Sequence, residues 1–86
     1  MKISQRKQKE FKKKLIELLQ AQGYSVITGK GSFKQGACLV LQDKKIVLNN
    51  FLPLDLQIKF LIEIFESESL ETLVPSEISK FVEQIS

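Results

Sequence analysis

Eighty-six residues, 43% apolar and 27% charged, make one soluble domain over 1–86 with a modest core, not a disordered chain. One cysteine and no histidine exclude an intramolecular disulfide, Cys–His and Ser–His nucleophile pairs, and zinc or iron–sulfur sites assembled within one chain. Net charge is +3, yet residues 1–45 carry eleven Lys/Arg against three acids (+8), while residues 46–86 carry two lysines against seven acids (−5).

Residues 4–22 read as a helix. Phe11, Leu15, Leu18, Leu19 and Gln22 follow a helical stripe that lapses at its last position. Ser4 is placed to cap the N-terminus, and Glu10 to Lys14 is a supporting i, i+4 pair. Gly23 follows the last helical residue, where a left-handed cap wants glycine, with Tyr24 at the usual apolar contact. The opposite face carries Arg6, Lys9 and Lys13. Its first two turns have only Ile3 as a large apolar side chain, so residues 1–10, this basic start, are expected to project or fray. The same segment lacks the apolar run of a signal peptide, and no window approaches the roughly 18–20 apolar residues of a membrane span. A reducing cytoplasm is the expected location.

Residues 24–28, YSVIT, are rich in β-branched side chains and read as a strand. Residues 29–36, GKGSFKQG, form a glycine-rich loop. Residues 37–42 and 45–49 read as a hairpin around Asp43-Lys44, although that turn has no glycine. Because 37–41 is apolar at every position, it is expected to be a central strand, covered on both faces or by a second protomer.

A second helix cannot start before Pro53, which suits the first helical position. Two stripes, Leu54, Ile58, Leu61, Ile62, Phe65 and Leu56, Phe60, Ile64, leave Asp55, Gln57, Lys59 and Glu63 as a narrow wet edge. This helix is the expected centre of the core. Residues 67–75 are a connector pinned by Leu70, Leu73 and Val74. Ser76 can cap a last helix bearing Ile78, Phe81, Val82 and Ile85.

Few constellations carry chemistry. Cys38 lies mid-strand and reads as a small buried hydrophobe in preference to a reactive thiol. Residues 31–38, GSFKQGAC, approach a phosphate-binding loop, but Ala37 and Cys38 stand where its lysine and hydroxyl are required, and a strand follows, not a helix. Acids are scattered and lack the spacing of a calcium loop. The strongest hint is the basic N-terminal set, whose lysine dominance suits diffuse attraction to phosphates and not base reading. A nucleic-acid surface would combine Arg6, Lys9 and Lys13 with Lys30, Phe33 and Lys34, Phe33 offering a ring for a base to stack on.

The run KKIVLNNFLPLDLQIKFLIEIF, within residues 44–68, resembles the strand-to-helix entry of zincin-like domains of the phage-immunity metallopeptidase type. That resemblance implies a hairpin-plus-helix scaffold. At the register of the family's H-E-x-x-H this chain has Ile64-Phe65-Glu66-Ser67-Glu68, so a catalytically inactive relative is implied. The wider pattern, GSFKQGAC followed by IVLN and LPL, is similar to a family of small uncharacterised bacterial proteins, which supplies no activity.

The expectation is therefore an α+β domain in the order α-β-β-β-α-α, with a three-stranded, mainly antiparallel sheet packed with helices. It is expected to be a non-enzymatic binding module with no metal and no cofactor, acting through a protein partner or by self-association, including a homodimer through the sheet. A nucleic-acid accessory role is the alternative. The opposite signs of the two halves suit attraction within the monomer, head-to-tail pairing between protomers, or an anionic partner.

Overall fold

Helix α1, Gln5–Ala21, opens as the sequence dictates: Ser4 stays extended and its hydroxyl accepts from the Lys7 amide at 3.2 Å. The protein is described by a computed structural model covering residues 4–29, 37–40, 44–49 and 51–85; side chains are described for these except 28, 29, 37–40 and 85. The end of α1 is a paired cap. Gly23 adopts φ 92°, its amide donates to the Gln20 carbonyl, and the Tyr24 amide donates to the Leu19 carbonyl. Gln22 is exposed at the cap and ends the apolar stripe. The basic start of α1 is helical from Gln5 and meets the third helix, where Lys7 Nζ lies 3.3 Å from Glu77.

Strands β1 (Ser25–Gly29), β2 (Ala37–Val40) and β3 (Lys45–Asn49) follow, in the spatial order β1-β3-β2. β2 runs antiparallel to β3, with Leu39 opposite Ile46. β1 runs parallel to β3, with Val26 opposite Ile46 and Thr28 opposite Leu48. The expected mainly antiparallel sheet is therefore corrected to a mixed one. The physical reason is connection length. Seven residues separate β1 from β2, more than a tight hairpin uses and enough to step over one strand position, about 9.6 Å. The short return from β2 then sets β3 in the gap. The apolar segment at 37–40 is thus an edge strand, and the centre belongs to β3.

Helix α2, Leu54–Ser67, is preceded by Pro53 as its cap residue, one position earlier than expected. Asp55 lies in its first turn, where a carboxylate favours the helix dipole. The turn before it is held by two side chains: Asn49 Oδ1 accepts from the Phe51 amide at 2.9 Å, and Gln57 Nε2 donates to the Leu52 carbonyl at 2.7 Å. Gln57, assigned from sequence to the wet edge, is only 3% exposed. Its hydrogen bond explains why an amide is tolerated there. α2 ends at Ser67 with Glu68 as its C-cap, a 3₁₀ turn spans Glu71–Leu73, and α3 covers Ser76–Ile85. The Pro75 carbonyl accepts from the Ser79 amide, so Ser76 begins the helix in place of capping it.

The core gathers Phe11, Leu15 and Leu19 of α1, Ile46 and Leu48 of β3, Ile58, Leu61 and Phe65 of α2, and Ile78 and Phe81 of α3. Phe11 and Phe81 meet edge to face at 5.7 Å. Leu70 and Val74 pack on this core, but Leu73 is 37% exposed and pins nothing. The opposite sheet face carries Ser25, Ile27, Lys45 and Val47, and Ile27 is 45% exposed. Among the described elements, all three helices lie on the Ile46 and Leu48 side. At the register matched to the zincin motif, Ile64 and Phe65 are buried core residues.

Candidate functional site

A helix repeats about every 3.6 residues, so Lys9 and Lys13 share one line along α1, with Lys12 and Ile16 on the line beside it. Lys9 and Lys13 are exposed; Lys12 and Ile16 are half-buried. The second wall comes from Leu54, the first residue of α2, delivered there by the turn that Asn49 and Gln57 hold. Between them lies a groove of about 540 Å³, with Ile16 and Leu54 as apolar floor, Lys9, Lys12 and Lys13 as rim, and Glu17 and Gln20 at one end. Burial pushes the Lys12 ammonium below its ordinary value of 10.5, because desolvation disfavours the charged form. Among the described residues no ion pair joins Lys9, Lys12 or Lys13 to an acid.

A second groove of about 290 Å³ lies between α2, the 3₁₀ turn and α3. Its rim has the opposite sign. Glu63, Glu66, Glu71 and Glu83 surround Ile62, Val74 and Val82, and all four glutamates are exposed. The two grooves share no lining residue.

Of the six residues assigned from sequence to a nucleic-acid surface, Lys9 and Lys13 come together at the basic groove. Arg6 is exposed on α1 but does not line it. Lys30, Phe33 and Lys34 lie outside the described residues. Sequence reasoning missed Lys12, Ile16 and Leu54 as one site. Ile16 gave a signal, being an apolar residue off the core stripe and four after Lys12, but its partner Leu54 is set by the tertiary fold. The acid-rimmed groove was likewise hidden, since its glutamates come from three elements. Among the described residues no cluster of three His, Cys, Asp or Glu is placed to hold a metal ion, and no helix is long and apolar enough to cross a membrane.

No family model, no curated protein and no solved structure matches this chain.

Proposed function

We propose that the chain is a non-enzymatic binding module, working in a reducing cytoplasm, that docks an acidic and partly apolar protein segment in the groove between α1 and the start of α2. One observation carries this reading: three lysines without acidic partners among the described residues surround an apolar floor. An acidic side chain reaching Lys12 would restore the solvation its ammonium lacks, while an apolar neighbour covers Ile16 and Leu54. Fluorescence anisotropy tests it with two labelled peptides of equal negative charge, one an amphipathic helix and one polyglutamate. The amphipathic peptide is expected to bind at least 10-fold more tightly, and Lys9→Glu/Lys13→Glu to weaken it at least 10-fold. Equal binding of the two peptides, or none at low salt, rejects the proposal.

A second reading, a nucleic-acid accessory protein, is favoured by an aromatic observation. Phe51 is 68% exposed beyond the end of β3. The pairings Gly29 with Asn49 and Ala37 with Leu48 bring both flanks of the 30–36 segment to that same end of the sheet. An exposed aromatic ring is what a base of a single strand stacks on. This reading expects the logarithm of affinity for an oligonucleotide to fall with the logarithm of salt at a slope of roughly −2 to −3 for three phosphate contacts. It also expects Phe51→Ala to weaken binding about 10-fold or more. A salt-insensitive interaction, or one indifferent to Phe51, removes it.

A further inference from the structure

The two grooves differ in sign and lie on different parts of one chain, and that relation points to a partner. We infer that the segment received by the basic face of α1 is the α2–α3 surface of a second copy, so that copies associate head to tail. The inference rests on the binding-module reading and names its partner.

Charge supports the match. The exposed line Lys9–Lys13 is a helical ridge, with Ile16 half-buried beside it. The acid-rimmed groove is a slot between two helices, floored by Ile62, Val74 and Val82. Lysines would meet Glu63, Glu66, Glu71 and Glu83 across an apolar seam. The exceptions agree in sign as well. The acid of the α1 surface is Glu17, and the cation of the acidic groove is Lys59.

One molecule does not satisfy both surfaces by itself. Among the described residues, the ion pair that bridges the two halves, Lys7 to Glu77 at 3.3 Å, uses residues lining neither groove. A contact between unlike patches leaves one patch free on each terminal copy, basic at one end and acidic at the other, so it grows into short chains or closes into a ring. It is also sensitive to salt, because its rim is exposed and charged.

Light scattering after size exclusion tests this with two neutralised variants, Lys9→Gln/Lys13→Gln and Glu66→Gln/Glu83→Gln, whose thermal melts serve as folding controls. At low salt the unmodified chain is expected to exceed its 9.8 kDa monomer mass with rising concentration, and to return to monomer in 0.5 M salt. Each variant alone is expected to stay monomeric. An equimolar mixture is expected to give a capped dimer of one of each, because one intact basic face then meets one intact acidic groove. Variants that still self-associate alone, or a wild-type association lost only in Ile27→Glu, would instead assign it to the open sheet face and overturn the inference. A wild type that is monomeric at several hundred micromolar also overturns it. If that monomer still binds the acidic amphipathic peptide, the binding-module reading stands with a different partner.

Discussion

Ser69 holds φ 58° directly after α2, in the region where side chains other than glycine are strained. Its amide donates to the Glu66 carbonyl, and the Leu70 amide donates to the Phe65 carbonyl at 2.7 Å. This is the same paired cap that Gly23 makes after α1, built without a glycine. Ser69→Gly is therefore expected to raise stability by about 0.5–1 kcal/mol, or several degrees in melting temperature, measured by thermal denaturation. The two caps are also linked, since the Tyr24 hydroxyl donates to Glu68 Oε1 at 2.7 Å across 44 positions of sequence. That hydrogen bond, then burial and the nearby carboxylate charge, lift the phenol above its ordinary value of 10.0. The native state thus holds the phenolic proton more tightly than the unfolded chain does. The resulting stabilisation is complete below pH 10 and is lost as pH rises through the raised native value. Tyr24→Phe is expected to cost about 1 kcal/mol at neutral pH. The gap to wild type should stay constant below pH 10 and close above it. A gap that widens with alkali would contradict the assignment. Gly23 could be read from sequence because glycine after a helical stripe has one common meaning. Ser69 and the Tyr24–Glu68 bond could not, because neither residue type signals its geometry.

The elements show the same division between local and long-range information. All three helices and the succession of strands along the chain follow from periodicity, proline and glycine, because those signals act within a few residues; which strand lies at the centre does not. The direction of β1 depends on which strand fills the gap beside it, and that is decided by a competition among loops. Leu73 and Gln57 exchange their expected places for a related reason. Leu73, in a short 3₁₀ turn, keeps 37% of its surface exposed, whereas Gln57 sits one turn into α2 and reaches back to the Leu52 carbonyl. Denaturant titration should register the difference. Gln57→Ala is expected to cost about 1–2 kcal/mol by leaving that carbonyl without its donor. Leu73→Ser should change stability by less than about 0.5 kcal/mol. Leu61→Ala, at a fully buried position in the middle of α2, should cost about 2–5 kcal/mol. If Leu73→Ser proved as costly as Leu61→Ala, the connector would be part of the core after all.

At the scale of the whole molecule, the charge asymmetry visible in composition becomes, among the described residues, two separate surfaces and one ion pair between the halves. Sequence alone showed the opposite signs of the halves but not their distribution, because the acidic groove forms only when α3 folds back along α2. The basic surface also carries a cost that a purely structural face would avoid. Lys9 and Lys13 stand at i, i+4 and repel each other, and α1 has no acid in its first turn to complement its dipole. Lys9→Glu replaces that repulsion with a Glu-to-Lys pair in the favourable order and moves negative charge toward the N-terminus. It is expected to raise monomer stability by about 0.5 kcal/mol, or roughly 2–4 °C in melting temperature. The same change removes a rim charge from the groove and should weaken binding of an acidic peptide several-fold. Opposite signs in the two measurements are the signature of a surface kept for binding at the expense of stability. Loss of stability together with loss of binding would make Lys9 a structural residue and withdraw it from the site.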